Sequence, residues 1–370
     1  MQRFIKEHCF IADWIEAKRK ELSGDPVLIE KTIHAFALLG YLVQIEEDFI
    51  FKGGTSLLLH VPEIRRLSID IDIIFGGDLE VFKNKLAQIP DNIPFTRIEE
   101  DDRGNRGLPN RRHFKFFYIS SISNKEESVL LDIVLEDTVH IVFVENKLIK
   151  STFFETDAEL SVKVPTIEGL LGDKLTAFAP HTIGVPFTTK KGKSMTMQVA
   201  KQLFDIGELF NISTDFENIK TTFKNNFRKE NSYHSNKYTE KEVLQDSIDL
   251  SLALCQIRLK GFKTSEDSNN IDDGIRKLES HLVREKFTTD GKAKIAAAKV
   301  FFIANAIKMD KSISFDEIRY SSDKIELLKN ITLSFPYDKL NRLKPILPEA
   351  FYYIWQGSIF INGIRNYPQP

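Results

Sequence analysis

Residues 52–75 constrain the fold of this chain most, because they join a glycine turn to a strictly alternating segment. The stretch opens with two glycines and two hydroxyl residues, Gly53, Gly54, Thr55 and Ser56. With the short apolar segment at residues 48–52, the pattern predicts a strand that runs through the glycines into a helix capped by Thr55 or Ser56. Glycines at such a junction let a phosphate approach the backbone, and a helix N-terminus favours its negative charge.

The second half of this stretch alternates between polar and apolar residues. In a strand over residues 67–73, Ser68, Asp70 and Asp72 would share one face while the intervening isoleucines fill the core. The two aspartates would stand about 7 Å apart at their backbones, near enough to bind a pair of divalent ions for in-line attack on a phosphate. A lone pair of this kind usually marks a solvated strand edge. The metal-site interpretation therefore depends on the glycine turn that precedes the pair.

This combination of motifs resembles the AbiEii/AbiGii toxin family. The resemblance rests on K-G-G-T-S-L at residues 52–57, followed by Arg66, Ser68, Asp70 and Asp72. That family belongs to the DNA polymerase β-like nucleotidyltransferases and supplies toxins of bacterial toxin–antitoxin and phage-defence systems. It implies a metal site for Mg²⁺, or Mn²⁺, at Asp70 and Asp72. It also implies a nucleotide-binding set of Gly53, Gly54, Thr55, Ser56, Arg66 and Ser68.

Composition limits the remaining possibilities. The chain has 370 residues, of which 42% are hydrophobic and 28% charged, as in a globular protein of two domains. A net charge of −2 argues against nonspecific coating of nucleic acid but leaves room for a local basic groove. Cys9 and Cys255 are far apart and lack metal-ligand spacing, so we expect a reducing, cytoplasmic location. The longest apolar run, residues 35–43, is too short to span a bilayer, and the N-terminus lacks a secretory pattern, so we expect no membrane role.

Asp132 is the one polar residue in a predicted apolar strand over residues 129–135. This strand would pair with one at residues 113–119 across a polar turn at residues 123–127. An ionised carboxylate there is costly unless it is paired or metal-bound. The alternative is an aspartate bonded to the backbone at a strand end. Polymerase β-like folds carry a third metal-binding carboxylate on such a strand, so the resemblance assigns Asp132 to the metal.

Lys174 lies among apolar residues of a helix predicted to begin at Thr166. Such a lysine either extends its amine to solvent or contacts a ligand phosphate. It matches the family's second motif, K-L-x-A after a V-x-V-P strand, which favours a phosphate contact. His181 stands where the family often has an arginine. The following loop to residue 194 is basic, with Lys190, Lys191 and Lys193.

The family's third motif, R-D-x-x-D-L, is only partly present. Lys201 and Gln202 replace its first two residues, and Asp205 is kept. We predict that Asp205 pairs with Lys174 or acts as a base near the nucleotide. The replacements weaken any role that needs an acidic residue at position 202.

Beyond residue 212 the sequence is almost entirely helical in pattern and shows no motif. The predicted domains are therefore a nucleotidyltransferase domain at residues 1–212 and an α-helical domain at residues 213–370. Several basic residues of the second domain are candidates for a surface that faces nucleic acid: Lys237, Lys241, Arg258, Lys260 and Lys263. Ordinary solvated helix faces would carry the same residues.

The predicted fold is α/β, a mixed sheet of the polymerase β kind with flanking helices, followed by a helical domain. The implied activity is Mg²⁺-dependent transfer of a nucleotide from an NTP to an RNA acceptor such as a tRNA 3′ end, as in MenT-type relatives. Asp70, Asp72, Lys174 and Asp205 are the predicted catalytic residues, and a cognate antitoxin is the predicted partner. Two alternatives remain: transfer of AMP to a protein hydroxyl, and a non-catalytic nucleotide-binding module, against which the intact aspartate pair argues.

Overall fold

The computed structural model describes residues 1–46, 48–101 and 109–362. The chain divides into two compact units. The first unit comprises Met1–Leu170 with Ser280–Glu285, and the second comprises Leu171–Glu279 with Lys286–Pro370. The polar, glycine-rich segment at residues 101–109, whose composition predicts a hairpin loop, falls almost wholly outside the described residues.

A mixed sheet forms the centre of the first unit. Its strands are β1 (Phe49–Lys52), β2 (Ile71–Phe75), β3 (Phe95–Glu100), β4 (Arg111–Ile119) and β5 (Glu126–Leu135). They lie in the order β1-β2-β5-β4-β3, with β2 parallel to β5 and the other neighbours antiparallel. A separate antiparallel pair joins β6 (Val144–Leu148) to β7 (Ser161–Pro165). The mixed sheet and the helices around it confirm the predicted α/β class.

The helices of the first unit include a long apolar one beside the sheet. They are α1 (Ala12–Leu22), α2 (Pro26–Ile45), α3 (Gly53–Leu57) and α4 (Leu79–Leu86). The Asp25 carboxylate accepts hydrogen bonds from the first N–H groups of α2, and Pro26 occupies the first helical position. By length and composition α2 could cross a membrane, but 72% of its apolar window is buried within the protein. Helix α2 is thus a core helix, longer than the apolar run seen in the sequence.

The two faces of the sheet differ in burial. On β5, Val129, Leu131 and Ile133 belong to the same hydrophobic core as α2. The residues between them, including Asp132, are only half-buried and point to the opposite face. The strand period therefore places Asp132 on the face opposite that core.

The second unit is built from helices, and the division between the units falls within the first of them. They are α5 (Ile167–Ala177), α6 (Thr196–Ile212), α7 (Phe216–Tyr233), α8 (Glu240–Gln256), α9 (Glu266–Leu278), α10 (Lys292–Lys308), α11 (Phe315–Ile318), α12 (Lys324–Lys329) and α13 (Pro348–Asn362). Helix α10 is buried along almost its whole length and packs against α6, α8 and α13. Tyr352, Tyr353 and Trp355 on α13 are buried in this core.

Several predicted boundaries shift. The strand predicted at residues 67–73 begins only at Ile71 and continues to Phe75, so Ile69 is half-buried instead of core. Strand β6 and helix α13 were not predicted. The predicted domain boundary after residue 212 differs from the division into compact units, which groups α6 with the later helices. The domain assignment from the sequence therefore stays a prediction.

Candidate active site

Four charged or titratable residues form a row across the open face of the sheet. Lys52 on β1 is the register partner of Asp72 on β2. Asp72 is the partner of Asp132 on β5, and Asp132 is the partner of His113 on β4. Register partners on neighbouring strands point to the same face. The sheet therefore brings the two predicted carboxylates, Asp72 and Asp132, side by side.

The glycine turn packs directly against this row. Gly53 has a φ of +82°, and a Cβ atom there would lie 2.2 Å from Asp72 Oδ2. A Cβ atom on Gly54 would lie 2.7 Å from the Arg66 guanidinium and 2.9 Å from Ser68 Oγ. Gly53 therefore favours glycine through its conformation as well as its space, and a larger residue at Gly54 would displace the Arg66 or Ser68 side chain. The structure brings together the glycines, Arg66, Ser68 and Asp72 that the sequence pattern named.

The two hydroxyl residues after the glycines serve the turn itself. Thr55 Oγ1 donates to the backbone oxygen of Asp70 at 2.6 Å and lies 2.9 Å from Ser68 Oγ. Ser56 Oγ donates to the Gly53 carbonyl at 2.9 Å. Both side chains are fully buried. They fix Asp70 and the turn, and any contact with a nucleotide would fall to the backbone.

The predicted helix cap is wrong. Helix α3 begins at Gly53, its N-cap residue is Lys52, and no side chain caps it. Thr55 and Ser56 lie inside the helix, so their hydroxyls bond to nearby backbone and side-chain groups. The glycines open the helix instead of preceding it.

Asp132 is held by a histidine that the sequence analysis did not identify. His113 Nδ1 lies 2.5 Å from Asp132 Oδ1. The Asp132 side chain is 28% exposed and the His113 side chain 12%. Asp132 is thus neither a buried core charge nor an aspartate bonded to the backbone. It stands at the open face with one oxygen engaged.

The carboxylates of Asp70, Asp72 and Asp132 offer the oxygen ligands that Mg²⁺ prefers. Among the described residues, no three or more His, Cys, Asp or Glu side chains converge to hold a metal by themselves. Magnesium, however, is usually bound by one or two carboxylates together with substrate phosphates and water. Adjacent Asp72 and Asp132, with Asp70 just before β2, match that kind of set. The residues therefore fit a metal that arrives with its nucleotide.

In the second unit Lys174 and Asp205 meet as the sequence suggested. Lys174 Nζ on α5 lies 3.1 Å from Asp205 Oδ2 on α6, and their side chains are 7% and 1% exposed. The attraction within a buried ion pair offsets the cost of desolvation only when the two groups are well placed, and breaking such a pair is strongly destabilising. The pair thus ties α5 to α6. A phosphate-binding role for Lys174 stays a prediction.

His181, at the position of the family's arginine, is engaged at the surface of the second unit. Its Nε2 lies 2.9 Å from Asp267 Oδ1, and its backbone N–H donates to Asp246 Oδ2 at 2.8 Å. Burial raises the pKa of Asp246. In the loop that follows, Lys190, Lys191 and Lys193 are exposed.

Comparison with known proteins identifies the family of the chain. Residues 37–254, more than half of the chain, match the model of a family described as nucleotidyl transferase AbiEii toxin, type IV toxin–antitoxin system. No curated protein matches the chain.

Several solved structures match the chain at low identity. JHP933 from Helicobacter pylori is 13% identical with a TM-score of 0.40, over 81% of this chain and 99% of that protein. A protein from H. pylori described as a candidate nucleotidyltransferase is 14% identical with a TM-score of 0.41, over 79% and 97%. An antigenic nucleotidyltransferase-like protein from Paracoccidioides brasiliensis is 13% identical with a TM-score of 0.34, over 56% and 91%.

Proposed function

Because the chain belongs to the AbiEii family of nucleotidyltransferase toxins, we propose that it transfers a nucleotide from an NTP to a hydroxyl of an RNA, such as a tRNA 3′ end. The observation that carries this proposal is the adjacency of Asp72 and Asp132 beside the glycine turn. Carboxylates next to a backbone that a phosphate can approach form the basic requirement of phosphoryl chemistry. Asp70, whose backbone oxygen accepts from Thr55, lies two residues before Asp72 along the chain.

In this proposal Asp70, Asp72 and Asp132 would hold Mg²⁺, with Mn²⁺ as a substitute. When bound, the metal supplies charge neutralisation at the phosphates and activation of the acceptor hydroxyl. In this proposal the backbone N–H groups of the turn at Gly53 and Gly54 receive the triphosphate, beside the Arg66 guanidinium that lies against Gly54. The acceptor oxygen bonds to the α-phosphorus as the bond to pyrophosphate breaks, and the hydroxyl proton passes to a carboxylate of the row or to water.

The second unit offers a surface suited to an RNA acceptor at the turn between α7 and α8. Residues 224–241 carry five lysines or arginines and two glutamates, a local charge of +3 in a chain of net charge −2. Lys229 Nζ lies 5.6 Å from the ring centre of Tyr233, and Lys237 Nζ lies 4.9 Å from that of Tyr238. Cations beside aromatic rings suit a single-stranded nucleic acid, because both phosphates and bases find partners.

A buried asparagine holds this turn in shape. The Asn231 side chain donates to the Tyr238 carbonyl at 2.7 Å and accepts from the Tyr238 N–H at 3.1 Å. Arg258, another residue that the sequence suggested for this role, instead pairs with Asp272 and Asp290. We therefore assign RNA contacts to the α7–α8 turn, including Lys237 and Lys241, and not to Arg258.

We further propose that the protein acts in the cytoplasm as a toxin controlled by an antitoxin, with a role in phage defence. The family membership supports the toxin assignment. Both cysteines are buried and free, which suits a reducing compartment.

Incubation of the protein with total bacterial RNA, Mg²⁺ and each α-³²P-labelled NTP in turn tests the activity. We expect label in RNA from at least one NTP, none after EDTA, and recovery with Mg²⁺ or Mn²⁺. Label on protein without any RNA would replace the acceptor by a protein hydroxyl. Binding of NTP without any transfer would reduce the protein to a nucleotide-binding module.

Controlled expression in a bacterium tests the toxin role. We expect the wild-type protein to arrest growth and the Asp70→Ala variant, expressed at the same level, to be harmless. Normal growth while the cells contain enzyme that is active in the labelling assay would remove the toxin assignment and leave the enzymatic one.

A further inference from the structure

The contact between His113 and Asp132 lies at the end of the carboxylate row. Asp72 on β2 is the register partner of Asp132 on β5, and Asp132 is the register partner of His113 on β4. The three residues therefore lie side by side across the sheet. His113 Nδ1 lies 2.5 Å from Asp132 Oδ1. Among the residues that the structure describes, this is the one side-chain hydrogen bond that Asp132 makes.

An imidazole nitrogen can hold a carboxylate only by donating its proton, so Nδ1 carries a hydrogen. A carboxylate offers two oxygens, and this bond engages Oδ1 and stops the group from rotating about its Cβ–Cγ bond. The second oxygen is then left for a ligand at the open face. The imidazole is itself confined, since its side chain is only 12% exposed.

We propose that His113 is a positioning residue that orients Asp132 toward the metal and the nucleotide. This inference rests on the proposed function, because it assigns a supporting residue to the same site. Carboxylates that bind metals depend on such hydrogen bonds, and loss of the supporting partner typically weakens metal affinity or activity by 10–100-fold. His113 touches neither substrate nor metal in this account, and it acts through Asp132.

Three substitutions distinguish this role from simple packing. In His113→Asn the amide nitrogen takes the place of Nδ1, so the donor to Asp132 is kept. In His113→Gln the amide nitrogen takes the place of Nε2, so a side chain of similar size loses the donor at that position. His113→Ala removes both the ring and the donor.

The readout is Mn²⁺ binding to the full-length protein, followed by electron paramagnetic resonance with a nonhydrolysable analogue of the NTP that serves as donor. We expect His113→Asn to bind Mn²⁺ within a few-fold of the wild type. His113→Gln and His113→Ala should bind about 10–100-fold more weakly, with a matching fall in kcat/KM. Melting temperatures measured in parallel identify any variant that has lost its fold, and the Asn–Gln comparison stands without the alanine variant.

Wild-type Mn²⁺ affinity in folded His113→Gln would overturn the positioning role while leaving the nucleotidyltransferase assignment intact. Equal weakening in His113→Asn and His113→Gln would also overturn it, since the retained donor would then not matter. A wild-type protein that neither binds Mn²⁺ nor transfers nucleotide would overturn the proposed function and this inference with it.

Discussion

The two compact units place their charged candidate residues in opposite environments. In the first unit Asp72 and Asp132 stand side by side on an open sheet face, and the Asp132 side chain is 28% exposed. In the second unit the Lys174 and Asp205 side chains are 7% and 1% exposed and bond to each other. Asp72, Lys174 and Asp205 all match motifs of the same family. The comparison teaches that a matched motif residue can serve either the ligand or the fold, and that its environment indicates which.

The difference follows from how each element buries its residues. A strand sends alternate side chains to opposite faces, so β5 can fill the core with Leu131 and Ile133 while it presents Asp132. Helices α5 and α6 pack within a helical core, where a charge needs a partner. We therefore expect changes at the sheet face to alter chemistry, and changes at the buried pair to alter stability.

The largest expected effect is on transfer when the sheet-face carboxylates are neutralised. Asp72→Asn and Asp70→Asn should each lower the transfer rate by about 10³-fold or more, because a metal supplies several kcal/mol at the transition state. The melting temperature should stay within a few degrees of the wild type, since neither side chain belongs to the core. Initial rates with labelled NTP and thermal unfolding measure the two quantities. Asp48→Asn, at a highly exposed aspartate of the same unit, is the matched control.

Loss of half of the buried pair should instead destabilise the protein. Lys174→Ala removes the lysine that pairs with the buried Asp205 carboxylate, and breaking a buried ion pair in this way typically costs about 3–5 kcal/mol. Replacing both residues, as in Lys174→Met with Asp205→Leu, should restore most of this stability, because apolar residues of similar volume fill the site. Urea unfolding gives the free energies. A Lys174→Ala protein of normal stability and very low turnover would favour the phosphate-binding role predicted from the sequence.

Two glycines with the same backbone conformation provide the next comparison. Gly53 and Gly192 have φ values of +82° and +80°, but a Cβ atom would collide with Asp72 at Gly53 and meet nothing within 4 Å at Gly192. Gly192→Ala should therefore lower the free energy of unfolding only by the strain of a positive φ, about 1–2 kcal/mol. Gly53→Ala should cost more and also displace Asp72, with a loss of transfer of about 10²-fold, the scale of a 1 Å misplacement. Equal effects at both positions would show that the contact with Asp72 is unimportant.

The smallest expected effect is a difference in acid sensitivity. Burial lowers the pKa of His34 to about 3 and that of His60 to about 4, so these two histidines of the first unit are neutral when folded. The unfolded chain takes up their protons below its pKa of 6.5, so stability is complete above that pH and falls as pH drops toward 4. Each histidine contributes a slope of about 1.4 kcal/mol per pH unit in that window.

In the second unit, the stability that depends on the buried Asp246 changes with pH in the opposite direction. Because burial raises its pKa, the folded protein keeps that proton longer, and the associated stability is lost as pH rises. Urea unfolding of the His34→Phe variant between pH 7.5 and 5 should show a flatter decline than the wild type, with the exposed His8→Phe as control. An unchanged slope would mean that His34 is not buried neutral in the folded protein.

The glycine turn and its aspartates were predictable because the signal is local. Gly53, Gly54 and Asp72 lie within about 20 residues, and a turn between a strand and an alternating segment brings them together whatever the rest of the fold. The half-buried state of Ile69 was missed because alternation alone does not say where a strand begins to pair. That start is set by the neighbouring strands.

The contact of His113 with Asp132 was missed because the predicted strand ends imply the wrong register between β4 and β5. The predicted strand ends would pair Ile119 with Val129 and place His113 opposite Leu135. In the structure β5 begins earlier, at Glu126, and its register pairs His113 with Asp132. Two glutamates at the start of β5 look like turn residues in the sequence. They join the strand because Arg97 and Lys31, distant in sequence, form salt bridges with them.

Strand β6 was missed because it lacks the alternation of buried apolar and exposed polar residues by which a strand is recognised in a sequence. Its end residues Val144 and Leu148 are exposed, and its inner residues are polar, so it carries no apolar face for a sequence pattern to reveal. It exists through backbone pairing with β7. Such pairing leaves no trace in hydrophobic periodicity.

One assay tests the central claim that the open carboxylates perform the chemistry while the buried pair supports the fold. Label transfer from the donor NTP to RNA is measured for the wild type, Asp72→Asn and the Lys174→Met/Asp205→Leu double variant, at a temperature where all three are folded. We predict no detectable transfer by Asp72→Asn and a rate within a few-fold of wild type for the double variant. Transfer by Asp72→Asn at the wild-type rate, or a folded but inactive double variant, would contradict the account.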